Sequence, residues 1–192
     1  MAYWLVRFIA FCAARTVYRI KISGTEHIPQ KGAFILCSNH IHAFDPVILA
    51  TSTKRQLRFM AKKELFEKQL LGSFLRAIGS FPVSRDTADM TSYRDAIKSL
   101  KSGKGLLIFS QGTRMQELNI KGAKGGVALF AVKAQVPIIP VGLTGSYRFF
   151  TPLNIRFGKA ITLDQYYEER LKTDQIEIIM TGVMSEVEKL VT

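Results

Sequence analysis

The stretch Ser38-Asn39-His40-Ile41-His42-Ala43-Phe44-Asp45-Pro46 holds a histidine and a carboxylate at H-x4-D spacing. A carboxylate that accepts a hydrogen bond from one imidazole nitrogen leaves the other nitrogen basic, able to take a proton from a hydroxyl. The apolar run Ala33-Phe34-Ile35-Leu36-Cys37 leads into the stretch and reads as a buried strand. Asp45-Pro46 precedes Val47-Ile48-Leu49-Ala50, with Asp suited to an N-cap and Pro to the first helical position. His40 is therefore expected on a rigid strand end, with Asp45 at the positive end of a helix. Taken alone, the spacing is more often a helix-capping aspartate and an ordinary loop histidine, and the remaining chain changes that balance.

Other strand ends carry polar residues of the same kind. Gly105-Leu106-Leu107-Ile108-Phe109 runs straight into Ser110-Gln111-Gly112-Thr113-Arg114, and the extended piece Ser80 to Arg85 delivers an arginine. Gly112 lets a backbone approach an anion, Thr113 offers a hydroxyl, and Arg114 a planar fork suited to phosphate. Lys124 sits in the Gly-rich turn Lys121 to Gly126, as a point charge. Open α/β sheets bind ligands at strand ends. A base beside the cations Arg85, Arg114 and Lys124 describes deprotonation of a hydroxyl on a phosphate-bearing substrate. His42 adds an H-x-H-x2-D pattern reminiscent of metal sites. A catalytic metal wants three protein ligands, however, the chain has three histidines in all, and His27 falls in a turn read as surface, so no metal is expected. No G-x-S-x-G elbow is present to support a serine hydrolase.

These residues need strands to hold them. Strands are expected at 18–22, 33–37, 57–61, 105–109 and 136–141, the last weakened by its prolines, with another strand or hairpin arm in 153–163. Helices are expected at 46–53, 64–78 closed by Gly79, 89–100, 127–134, 164–170 and 176–190. Strands alternating with helices over 192 residues indicate one α/β domain with a partly parallel sheet.

The net charge of +12 points to anionic partners. The basic residues are scattered with few aromatics among them and no nucleic-acid-binding motif, so an anionic membrane surface or a phosphorylated substrate is expected and no nucleic acid. Cys12 and Cys37 lie in apolar runs and read as buried free thiols in a reducing compartment. Met1 to Ile20 is rich in Trp, Phe, Leu and Ile but interrupted by Arg7, Arg15 and Arg19. It suits a helix lying in a membrane interface, with its arginines near phosphates, better than a span or a signal peptide, the alternative being an ordinary helix packed on the domain.

Four segments in order resemble the motifs of the glycerolipid acyltransferases. They are Asn39-His40 to Asp45, Phe81-Pro82-Val83-Ser84-Arg85, Phe109-Ser110-Gln111-Gly112-Thr113-Arg114 and Val136-Pro137-Ile138-Ile139-Pro140-Val141. The third is normally F-P-E-G-T-R, so Ser110 and Gln111 depart from it. The resemblance implies an α/β fold with a mixed, largely parallel sheet flanked by helices. Residues 1–19 would form an amphipathic membrane-docking helix and 20–192 the catalytic domain. His40 would be the general base, oriented by Asp45. Arg85, Gly112, Thr113 and Arg114 would bind the acceptor phosphate, joined by Lys124, with Asn39 and Gln111 positioning loops. The reaction implied is transfer of a fatty acyl group from acyl-CoA or acyl-carrier protein to the sn-2 hydroxyl of lysophosphatidic acid, giving phosphatidic acid, with no cofactor. The place implied is the cytoplasmic face of the cell membrane, as a peripheral or monotopic protein. Two alternatives stand beside it: a member acting on another lysolipid, which Gln111 keeps open, and a non-catalytic basic protein that binds lipid surfaces.

Overall fold

Phe34–Ser38 (β2) is buried at every position, as a strand covered on both faces must be. The computed structural model of the chain describes residues 2–83, 90–111, 123–167 and 170–192. Around β2 stand β1 (Arg19–Ser23), β3 (Leu57–Lys62), β4 (Ser80–Val83), β5 (Gly105–Phe109), β6 (Ile138–Gly145) and β7 (Pro152–Phe157). They form a seven-stranded sheet in the order β1-β7-β6-β2-β5-β3-β4. Every pairing is parallel except β6 with β7, so β7 and β1 run against the other five strands. The expected mixed, largely parallel α/β sheet is what forms.

Helices α1 (Ala2–Val17), α2 (Asp45–Ser52), α3 (Gln69–Ala77), α4 (Met90–Lys101), α5 (Gly126–Ala134) and α6 (Thr173–Val191) cover the sheet. The crossovers through α2 and α3 move toward the β4 edge, and those through α4 and α5 move back. Right-handed connections place the first pair on one face and the second on the other. The core agrees. Phe34 and Leu36 pack with Ile48 and Leu49 of α2, whereas Ile35 and Cys37 pack with Ala96, Val127, Val183 and Met184 of α4, α5 and α6. The period-2 alternation of β2 thus feeds two separate apolar layers.

Several elements differ from the sequence expectation. Residues 64–78 do not form one helix: a 3-10 turn, Lys63–Phe66, precedes α3. Phe66 turns into the core, and Gly72 packs so closely that a Cβ there would lie 2.5 Å from the Phe66 carbonyl oxygen. Gly79 ends the segment at φ +89°, as a glycine C-terminal to a helix should. The prolines do not break β6. The Pro140 carbonyl accepts the Gly158 N–H, so its hydrogen-less nitrogen faces the side where the β6–β7 ladder ends at Val141–Phe157. Asp164–Tyr166 is only a 3-10 turn, and α6 begins at Thr173, where the Gln175 side chain accepts the Lys172 N–H.

The N-terminal helix is part of the core rather than an appendage. Tyr3 is buried, and its hydroxyl accepts the Leu57 N–H at the start of β3. Arg7 was expected near lipid phosphates with Arg15 and Arg19. Instead its guanidinium donates to the Ala50 and Thr53 carbonyls at 2.9 and 2.6 Å, closing the C-terminus of α2. Among the described residues no helix is long and apolar enough to cross a membrane.

Candidate active site

β2 ends at Ser38, and the next residue locks its end. The Asn39 amide donates to the Leu143 carbonyl and accepts the Leu143 N–H, both at 2.8 Å. A side chain thus continues the β2–β6 ladder where the backbone turns away. His40 follows, its ring stacked on Phe109 at 4.0 Å between centroids and 17° between planes. Phe109 is the last residue of β5 and pairs in register with Ser38, so one sheet edge holds both the histidine and the aromatic under it.

Asp45 is fully buried at the first position of α2. It does not cap that helix as expected: Phe44 occupies the cap position and no side chain caps the helix. The carboxylate turns back instead, because the 41–45 turn presents its own donors. Oδ2 accepts the Ile41 and His42 N–H groups at 2.7 and 2.8 Å and stands 2.7 Å from His40 Nδ1. An ionised carboxylate only accepts, so Nδ1 carries the proton and Nε2 is the basic nitrogen. Among the described residues Nε2 has no hydrogen-bond partner. Oδ1 accepts the Tyr147 hydroxyl at 2.5 Å. Burial and the adjacent Asp45 charge push the Tyr147 phenol far above its ordinary value, which keeps it a neutral donor.

His42 stacks on the Tyr147 ring at 4.1 Å, and its Nδ1 accepts the Phe44 N–H. Tyr18 also meets Tyr147, edge-on. His27, expected at the surface, is half-buried and donates from Nδ1 to the Phe157 carbonyl, pinning its turn to β7. His40 thus pairs with the carboxylate, while His42 packs on Tyr147.

Gln111 is buried just beyond β5, and its Nε2 finds no partner among the described residues. Lys124 is exposed, and its backbone N–H donates to the Ser110 carbonyl at 2.8 Å, returning the chain to the end of β5. Arg85, Gly112, Thr113 and Arg114 lie outside the described residues. The strands leading toward them, β4 and β5, run parallel with β2 and end on the same edge as His40. Reasoning from sequence missed Tyr147 and the support Phe109 gives. The available signal for Tyr147 was its place just past the end of β6, the strand beside β2.

A buried, four-times hydrogen-bonded carboxylate thus holds a histidine at one end of a largely parallel sheet on an α/β fold, at the strand ends where open sheets of this kind bind ligands. The chain belongs to the acyltransferase family, whose model, described as Acyltransferase, matches residues 19–144. It is 32% identical over 174 residues to a 1-acyl-sn-glycerol-3-phosphate acyltransferase of Streptococcus pneumoniae, covering 86% of this chain and 64% of the relative. It is 33% identical over 127 residues to the protein of that name from Bacillus subtilis, covering 66% of this chain and 63% of the relative. The chain thus matches a little under two thirds of the length of either. Its fold is similar to the crystal structure of the 1-acyl-sn-glycerophosphate (LPA) acyltransferase PlsC from Thermotoga maritima, with a TM-score of 0.70 and 20% identity, over 98% of this chain and 79% of that one.

Proposed function

We propose that the chain transfers a fatty acyl group from an acyl-CoA or acyl-carrier-protein thioester to the sn-2 hydroxyl of lysophosphatidic acid, giving phosphatidic acid. The observation that carries this is the 2.7 Å contact between His40 Nδ1 and the buried Asp45 carboxylate. Family membership and the names of the streptococcal and Bacillus relatives support the choice of reaction and acceptor.

His40 Nε2 takes the proton of the acceptor hydroxyl as its oxygen attacks the thioester carbonyl carbon. The tetrahedral intermediate collapses, the C–S bond breaks, and the imidazolium returns its proton to the leaving thiolate. Ester and free thiol result, and His40 is neutral again. Asp45 stabilises the transient imidazolium. Arg85, Gly112, Thr113 and Arg114 hold the acceptor phosphate, with Lys124 contributing charge at the rim. The step balances with the thioester as its one activated reactant and needs no cofactor or metal. α1 rests in the interface through its exposed Trp4, Leu5, Phe8 and Ile9, and the charge of +12 draws the protein to anionic lipid on the cytoplasmic face.

Gln111 favours a second reading within the family. Its amide adds a donor where the family usually has a carboxylate, which suits a different lysolipid acceptor. A panel assay separates the two. Purified protein in detergent is given acyl-CoA with several lysolipids, and thiol release is followed. Fastest release with lysophosphatidate supports the proposal, faster release with another lysolipid moves it to the second reading, and none with any acceptor refutes both.

A further inference from the structure

The sheet face carrying α1, α2 and α3 is apolar where it meets solvent. On α3, Leu70, Leu71 and Phe74 are 89%, 37% and 46% exposed, and Gly72 is the one buried residue of the helix. Gly72 packs against the Phe66 backbone of the 3-10 turn before α3, and the exposed row of Leu70, Leu71 and Phe74 is not used by the core. Phe44 and Val47, in the first turn of α2 beside the dyad, are exposed as well. On the opposite face, large exposed apolar side chains among the described residues are single: Met90 on α4, Leu129 on α5 and Ile178 on α6. Scattered single residues are normal for a soluble surface, whereas a helix with its apolar row outward requires a partner.

The charges nearby choose among partners. Lys62, Lys63, Lys68 and Arg76 stand around α3 against Glu64 and Glu67, and Lys62 pairs with Glu64 at 3.3 Å. A second copy of the chain would bring another +12 against this face and repel it. A flat, anionic, apolar-cored partner satisfies the leucines, the phenylalanine and the basic rim together.

We propose that the apolar row of α3 is a second lipid contact, so that the domain lies on an anionic bilayer by its whole α1–α2–α3 face rather than by its N-terminal helix alone. The choice of partner rests on the function proposed above, but the contact does not depend on turnover. In this pose Phe44 meets the lipid beside His40, and a lysolipid acceptor reaches the base without leaving the interface.

Trp4 is the single tryptophan, which makes a clean test possible. In the full chain carrying W4F and L70W, the new tryptophan reports on α3. It should shift to the blue and be quenched by vesicles of phosphatidylglycerol and phosphatidylcholine with brominated acyl chains. I178W in the W4F background, on the opposite face, should show neither effect. L70D with F74D should lower vesicle co-flotation by about tenfold or more at unchanged melting temperature. Co-flotation without quenching at position 70 would overturn the proposal, as would failure of the protein to bind these vesicles. A dimer in sedimentation that L70D with F74D dissolves would assign the row to a second copy and overturn it too. Quenching in a protein that transfers no acyl group would uphold the contact and sink the functional reading, and turnover without quenching would do the reverse.

Discussion

The Tyr147 hydroxyl donates to Oδ1 of Asp45 at 2.5 Å, across 102 residues of sequence. It completes a set of four donors on one buried carboxylate and ties the segment after β6 to the turn after β2. Asp45 is thereby fixed in position before any substrate arrives. A carboxylate held in this way can orient His40 without swinging toward solvent.

Tyr147→Phe keeps the ring stacked on His42 and removes only the donor. A hydrogen bond to a charged group contributes roughly 1.5–3 kcal/mol. Turnover should fall about tenfold with little change in acceptor KM, because the dyad and not the substrate pocket is disturbed. An unchanged kcat in a folded Tyr147→Phe protein would reduce Tyr147 to a packing residue.

His40→Ala and Asp45→Asn should separate chemistry from folding. Losing the base should lower turnover on the order of a hundredfold or more while the melting temperature moves little. Asn in place of Asp45 keeps one acceptor oxygen and sets an NH2 against buried donors. It should therefore lose activity and also melt on the order of 5–15 °C lower. Equal stability of the two variants, measured by thermal unfolding, would contradict the four-donor role of Asp45.

The dyad was legible because both partners lie within one strand-turn-helix, where apolar runs and Pro46 mark the boundaries. The sheet was legible for the same reason: continuous apolar runs such as 33–37 and 105–109 are what doubly covered parallel strands require. Tyr147 was not, since nothing local to residue 147 refers to Asp45. The break between Phe66 and α3 was hidden too, because Leu65, Phe66 and Leu70 keep helical spacing while the chain turns between them. Arg7 was misread for a related reason: an arginine on an apolar helix signals an anion, and a helix C-terminus offers the same partial negative charge as a lipid phosphate.

Arg85 and Arg114 should act on the acceptor alone. Replacing either by Ala should lower kcat/KM for lysophosphatidate by about tenfold to a hundredfold and leave the donor KM nearly unchanged. Steady-state kinetics with each substrate varied in turn is the check. Equal weakening of donor and acceptor would reassign these arginines to the phosphates of the thioester.

The two cysteines should differ sharply in reactivity. Cys12, expected to be buried, is exposed on α1, whereas burial pushes the Cys37 thiol up to about 12. Iodoacetamide at mildly alkaline pH should modify one thiol in the native protein and two in denaturant. Because the folded chain holds this proton more tightly than the unfolded one, the stability it contributes is fully present below the ordinary thiol value. It is lost as pH rises from there through about 12. Modification of two thiols at native pH would show that the inner apolar layer opens readily.

On the function proposed above α1 serves the core by one face and lipid by the other, and the two should separate by mutation. Tyr3 and Ala14 lie in the core, the Tyr3 hydroxyl accepts a β3 amide, and Arg7 closes α2. Trp4, Leu5, Phe8 and Ile9 point away from it. Deleting residues 2–17 should therefore leave the Leu57 amide and the α2 carbonyls without these partners, expose the layer over β3, and yield a protein that melts earlier or aggregates. Arg7→Met should lower stability by about 1–3 kcal/mol through the two orphaned carbonyls, with vesicle binding close to the parent's. W4S with F8S should do the opposite, weakening vesicle binding at an unchanged melting temperature. Thermal unfolding and vesicle co-flotation, run on all three, decide the matter. A truncated chain that melts with the parent would make α1 a detachable anchor and refute its place in the core.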